Sequence, residues 1–213
     1  MQPVPADGFI CRRSAIALLL FILVIAAGFA QRAGLFVPFD RALIEAAGAA
    51  RNAGYGAALT QFALLVSAAT SVEGRLVLLA LLLPVFLARR CWRGWLWLAG
   101  VAVSAMLINT GIKLYFQAAR PDIIARLDPI TSYSFPSGHA SGNMAFFLGV
   151  AMLIGGKATW AVAIVLTLIV GLARIWLAAH WPSDVICGWI EAAAILMLAR
   201  SWLPRTNGQK YRA

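Results

Sequence analysis

An all-α, polytopic membrane fold with six transmembrane helices follows from three observations on the 213-residue chain. Hydrophobic residues make up 62% of it, charged residues only 12%, and mean hydropathy is +0.83. A soluble domain carries about 25% charged residues, so there are too few charges here to coat a water-facing globule. The apolar residues also fall in runs close to the ~20 residues that cross a bilayer core as a helix. Finally, Lys and Arg are shared unequally between the two ends of those runs, which records orientation. The same composition excludes a disordered, collagen-like or disulfide-stapled chain. The net charge of +10 is read as orientation rather than affinity for nucleic acid.

Ser14–Ala30, preceded by Arg12 and Arg13, is the first span. Gly28-Phe29-Ala30 resembles a cleavage site, but the apolar run exceeds the roughly 7–15 residues of a signal peptide, so a retained anchor is expected. The second span, Ser71–Ala88, is the shortest, with 13 uncharged residues between Arg75 and Arg89. Glu73 and Arg75 are expected at the membrane surface, and Pro84 is tolerable in a packed bundle. Trp92–Lys113, Ala140–Gly156, Ala158–Ala173 with a few following residues, and Pro182–Leu203 complete the set. Pro38–Thr70 should form two short surface helices broken at Asn52-Ala53-Gly54. In the first, Phe39, Leu43, Ala46, Ala47 and Ala50 share one face, with Asp40, Arg41 and Glu45 away from it, as in a helix lying on the membrane surface. The uncharged stretch Asn52–Val72 is long enough to cross, but a seventh span would put either Arg89, Arg90 and Arg93 or Arg12 and Arg13 outside. With no repeats and no linker, residues 1–213 read as one domain.

Six spans with both termini cytoplasmic place ten positive residues inside: Arg12, Arg13, Arg89, Arg90, Arg93, Lys157, Arg200, Arg205, Lys210 and Arg212, with Asp7 the one acid nearby. Trp92, Trp95, Trp160 and Trp202 then lie near the inner interface, and Trp176 and Trp181 near the outer one, as an anchoring belt. Cys11, Cys91 and Cys187 have neither disulfide nor metal spacing and are expected to pack.

Ionisable residues inside a bilayer are costly and call for a reason. Here Lys113, Arg120, His139, Arg174, His180 and Asp184 come from the outer ends of four spans and share one depth. Lys113 and Arg120 are two helical turns apart. Pro136-Ser137-Gly138-His139 enters a helix whose first N–H groups are unpaired and attract an anion, with Gly138 allowing close approach. Three cations and such a terminus suit phosphate. His180 and Asp184 are four residues apart around Pro182, so Asp184 can hold one ring nitrogen and leave the other free to attack. Singly, each cation reads as a snorkelling side chain, and a metal held by His139, His180 and Asp184 would be repelled by the cations. Asn109 and Asn143 read equally as helpers of the site or as interhelix hydrogen-bond donors. Glu191 reads as a paired or neutral structural group.

Lys113-x6-Arg120-Pro121, Pro136-Ser137-Gly138-His139 and Arg174-x5-His180-x3-Asp184 resemble, in order and spacing, the three signature motifs of the type 2 phosphatidic acid phosphatase family. Ala173 departs from that pattern, which commonly has Ser before the Arg. The resemblance implies His180 as a nucleophile forming a phosphohistidine, Asp184 orienting it, and His139 protonating the leaving oxygen and then activating water. Lys113, Arg120, Ser137, Gly138 and Arg174 would hold the phosphoryl oxygens, and no metal or other cofactor is implied.

The expected function is thus an integral-membrane lipid phosphatase of a bacterial cytoplasmic membrane, with its site on the extracytoplasmic face and a membrane lipid phosphate as its partner. By resemblance the substrate is phosphatidic acid, phosphatidylglycerol phosphate, undecaprenyl pyrophosphate or a lipid A phosphate. Two alternatives are a phosphotransferase on the same intermediate and a non-catalytic binder or transporter of anionic lipid. The loop Pro121–Pro136, with Asp122, Asp128, Thr131, Ser132, Tyr133 and Ser134, is expected to read the headgroup.

Overall fold

In a computed structural model of the protein, residues 6–204 are described, with side chains from Arg12 onward. Arg205, Lys210 and Arg212, and the side chains of Asp7 and Cys11, lie outside the described residues. The fold is all-helical: α1 (Ala6–Arg32), α2 (Val37–Arg51), α3 (Gly56–Ala69), α4 (Val72–Ala88), α5 (Trp92–Phe116), α6 (Gly138–Ile154), α7 (Lys157–Trp176) and α8 (Pro182–Ala199), the last continued by a 3-10 turn. The two short helices expected after the first span are α2 and α3. Four helices are each long and apolar enough to cross a membrane: α1, α5, α7 and α8 with its 3-10 turn. α3 and α4 meet the same test only as a pair bent by 62°, and α6, at 17 residues, is shorter. This is a multi-pass membrane protein.

Local chemistry sets the helix ends. Ser71 accepts from the Gly74 N–H at 3.1 Å, starting α4 in a new direction after the bend. Ser137 caps α6 through the Ala140 N–H at 3.4 Å. Pro182 opens α8, where its missing N–H costs nothing. Gly155 and Gly156, at φ +76° and +87°, make the tight turn into α7.

α8 is the axis of the bundle, packed by α1, α5, α6 and α7. One core cluster joins Val101 and Ala105 of α5, Ala145 and Met152 of α6, and Ala192, Ile195 and Leu196 of α8. Gly188 lets α8 meet the entry to α6, where a Cβ would stand 2.6 Å from the Ser137 carbonyl oxygen.

α2 keeps the apolar stripe that the sequence predicts and buries a carboxylate away from it. Its buried residues are Asp40 and Ile44, whereas Phe39 and Leu43 are exposed. In a bilayer the outer medium is apolar, so the hydrophobic stripe turns outward and the polar group docks. Asp40 accepts from the Ser183 N–H (2.8 Å) and Ser183 Oγ (2.6 Å) at the start of α8. Burial pushes the Asp40 carboxyl above its ordinary value, against those two bonds. Trp176 and Trp181 also direct their indole N–H groups into protein, at Thr60 Oγ1 and the Ala119 carbonyl (both 3.0 Å).

Candidate active site

The helix ends meet at one end of the bundle. His180 stands in the short link between α7 and α8 and is only 2% exposed. Its Nε2 lies 3.1 Å from Arg120 Nη1. A guanidinium only donates, so Nε2 carries the lone pair and Nδ1 the proton. Nδ1 faces Asp184 Oδ2 and Ser134 Oγ, both at 3.5 Å, longer than an ordinary hydrogen bond. Asp184 is held more firmly than it holds: it accepts from Ser134 Oγ, Gln31 Nε2 (2.7 Å) and the Trp181 N–H (3.0 Å). Burial first, and then the charges of Lys113, Arg120 and Arg174, hold His180 well below the usual imidazole value. It is neutral at neutral pH.

Arg120 uses every N–H it has. Nε donates to the Ser132 carbonyl (2.7 Å), Nη1 to the Ala179 carbonyl and His180, and Nη2 to Ser132 Oγ and the Tyr133 carbonyl (both 3.1 Å). Burial and the nearby Arg174 bring it down to about 10, so it stays charged. Lys113 Nζ donates to the Tyr133 (2.5 Å) and Ser134 (3.1 Å) carbonyls. Main-chain oxygens of the loop thus occupy both cations.

His139 opens the first turn of α6, its Nε2 3.3 Å from the Ser67 carbonyl of α3. A carbonyl only accepts, so this contact places a proton on Nε2. Arg174, fully buried, pairs with Asp128 Oδ2 at 2.6 Å and also donates to Ser67 Oγ. Among the described residues its Nε and Nη2 have no partner. A buried donor left unpaired costs about 1–3 kcal/mol, and a phosphoryl oxygen is an acceptor of the right chemistry for them. Burial raises Asp128, but Ser67 and Arg174 outweigh it and hold the carboxyl below its ordinary value.

A cavity of about 290 Å³ opens among Lys113, Arg120, Gly138, His139 and His180. Those five expected residues share it. Asp184 lies directly behind His180, and Arg174 and Ser137 are enclosed, Ser137 with its hydroxyl spent on the α6 cap. Two readings of the loop and its surroundings change, and one of two open alternatives is met. Asp128 and Ser134 are bound to Arg174 and Asp184, so they build the site rather than face a headgroup. Arg75, expected at the membrane surface, lines the cavity. Asn109 and Asn143 make interhelix bonds, to Glu191 Oε2 and the Thr70 carbonyl (both 2.8 Å). That contact pairs Glu191, which is fully buried. The sequence reading does not find Gln31 and Ser67: each is an uncharged polar residue of a largely apolar helix, and only its depth, level with the charged cluster, marks it.

Residues 94–207 match the family model of the PAP2 superfamily. Phosphatidylglycerophosphatase B of Bacillus subtilis is 28% identical over 127 residues, 55% of this chain and 62% of that protein. Decaprenylphosphoryl-5-phosphoribose phosphatase of Mycobacterium tuberculosis is 36% identical over 53% of this chain and 62% of its own length. Undecaprenyl-diphosphatase of Sulfolobus acidocaldarius is 33% identical over 39% and 40%. The chain thus spans 40–62% of these three relatives. The crystal structure of a transmembrane PAP2-type phosphatidylglycerolphosphate phosphatase from Bacillus subtilis superposes with a TM-score of 0.78 at 21% identity, over 92% of this chain and 96% of that one. It has the same fold.

Proposed function

The chain belongs to the PAP2 superfamily, and from that premise we propose that it is a lipid phosphatase working through a phosphohistidine. The observation that carries the reading is the shared cavity: two imidazoles, two guanidiniums and an ammonium face one space of about 290 Å³ at the end of an apolar bundle. That space suits a headgroup, while the tails stay beside the helices in the bilayer.

His180 is the nucleophile through Nε2, which is neutral and buried. Asp184, fixed by Gln31, Ser134 and the Trp181 N–H, keeps the proton on Nδ1 and offsets the charge that grows on the ring. An incoming phosphoryl group displaces the Ser132 and Tyr133 carbonyls from Arg120 and Lys113 and draws Arg120 off Nε2. Arg174 supplies the N–H groups of its two unpaired nitrogens, and Gly138 gives backbone access at the start of α6. Fixed donors then meet the charge of the transferring group without reorganisation.

The Nε2–P bond forms as the bond from phosphorus to the leaving oxygen breaks, and His139, entering this step as imidazolium, gives that oxygen a proton and becomes neutral. His139 next takes a proton from water, which attacks the phosphohistidine and frees inorganic phosphate and His180. The residues supply acid, base, nucleophile and charge among themselves, with no metal in the scheme. Six spans, cytoplasmic termini and an extracytoplasmic site in a bacterial inner membrane fit the charge distribution of the sequence. The test is phosphate release by purified protein from phosphatidic acid, phosphatidylglycerol phosphate, a polyprenyl diphosphate and a lipid A phosphate, with His180→Ala as blank. Release from at least one, absent in the blank, supports the reading; release that persists in the blank overturns it.

A further inference from the structure

Resting on the lipid-phosphatase reading, we propose that Arg75 forms a second anion subsite on the leaving-group side of the cavity. The protein then prefers lipids whose leaving group carries its own phosphate, a lipid diphosphate above all.

Arg75 belongs to none of the three motifs. It sits in the first turn of α4 and lines the same cavity as His139 and His180. Among the described residues its guanidinium makes a single hydrogen bond, from Nη1 to the Thr70 carbonyl at 2.9 Å. Arg120, in the same cavity, has acceptors for all of its N–H groups. Among the described residues, the one carboxylate that acts on the Arg75 guanidinium is the exposed Glu73, two residues away; beside the apolar Val72, Ala105 and Met106 its free donors can still take an anion that arrives in the cavity.

Its place relative to His139 is fixed. The Thr70 carbonyl that takes Arg75 also takes Asn143 Nδ2 at 2.8 Å, and Asn143 donates to the His139 carbonyl at 2.8 Å. The guanidinium lies over Gly142, where a Cβ would come within 2.7 Å of Arg75 Cζ. Three residues past His139, α6 thus leaves room for this cation.

In-line attack by Nε2 puts the breaking bond on the far side of phosphorus, beside the acid His139 and hence beside Arg75. From a lipid monophosphate the leaving group, once protonated, is a neutral alcohol with nothing for a guanidinium to bind. From a lipid diphosphate, Nε2 bonds to the terminal phosphorus and the bond from that phosphorus to the bridging oxygen breaks. The oxygen departs with the lipid monophosphate, taking the proton of His139. The departing phosphate stays charged, and a forked guanidinium matches its oxygens.

The test compares kcat/KM of the full chain on a polyprenyl diphosphate, phosphatidylglycerol phosphate and phosphatidic acid, in wild type, Arg75→Gln, Arg75→Lys and Gly142→Ala. In Arg75→Gln the ratio of diphosphate to phosphatidic acid should fall roughly 10- to 100-fold, the range of one charge-assisted contact. Arg75→Lys should restore part of it. Gly142→Ala, which pushes the guanidinium aside without removing it, should lower the same ratio and guards against a folding defect in the first variant. A ratio within threefold of wild type in both Arg75→Gln and Gly142→Ala overturns the subsite. So does a fall confined to phosphatidylglycerol phosphate, whose second phosphate lies a glycerol away. A wild type that hydrolyses only monophosphates overturns the subsite and leaves the phosphatase reading standing; a wild type with no more release than His180→Ala on all three ends that reading itself.

Discussion

The two histidines face one cavity from walls of opposite character. On the His180 wall nearly every polar group is already engaged: Arg120 spends all of its donors and the Asp184 carboxylate is held by three groups. On the His139 wall, among the described residues, the His139 ring has one hydrogen-bond contact at 3.3 Å, the Arg75 guanidinium has one hydrogen bond, and nearby Arg174 keeps two nitrogens unpaired. A nucleophile must keep one tautomer and one orientation through every cycle, so its wall is built by the chain. The opposite wall must accept charge that arrives and leaves with substrate, so its donors wait.

The contrast orders the effects of substitution. Removing His180 deletes the bond-forming atom, and His180→Ala should lower kcat by roughly 10⁴-fold or more, measured as phosphate release. His139→Ala removes acid and base but leaves the nucleophile, so a loss of about 10²–10⁴-fold is expected. Equal losses for a substrate with a very good leaving group and for a poor one would argue against proton donation by His139. Arg120→Gln should cost about 10²–10³-fold, as for one donor to developing charge, and should also change the pH profile. His180 acts neutral, and its depressed value puts the acid limb of kcat/KM below pH 6.5. Deleting a neighbouring cation raises that value, so activity should fail at higher pH in the variant than in wild type. The smallest effect belongs to a residue that positions the site from outside. Asp40→Ala loses two hydrogen bonds to Ser183 and should cost about 1–2 kcal/mol of stability, seen as a lower unfolding midpoint in detergent.

The His180 wall was the more legible of the two in the sequence. Lys113, Arg120, His139, Arg174, His180 and Asp184 stand out because a charge in an apolar helix demands a reason, and three of the spacings repeat a family's motifs. Arg75 carries the same signal, but with Glu73 beside it at a helix start it passes for an interfacial anchor; only the 62° bend between α3 and α4 turns the start of α4 toward the site. Asp40 reads only as part of the polar face of α2, because helical periodicity separates two faces without saying what each one meets, and here that carboxylate docks on the start of α8. Gln31 and Ser67 bear no charge and lie far along the chain from the residues they touch. Their roles depend on which helices become neighbours, which a single sequence does not state.

The account stands on a bond between phosphorus and His180 Nε2. Its most direct test is to mix purified wild-type protein with a lipid phosphate whose terminal phosphate is labelled, quench in base within one turnover, and map the labelled peptide. The expected result is label on His180, absent from His180→Ala and lost with the rate constant of phosphate release. Full turnover with no labelled peptide, or label on His139 instead, would contradict it.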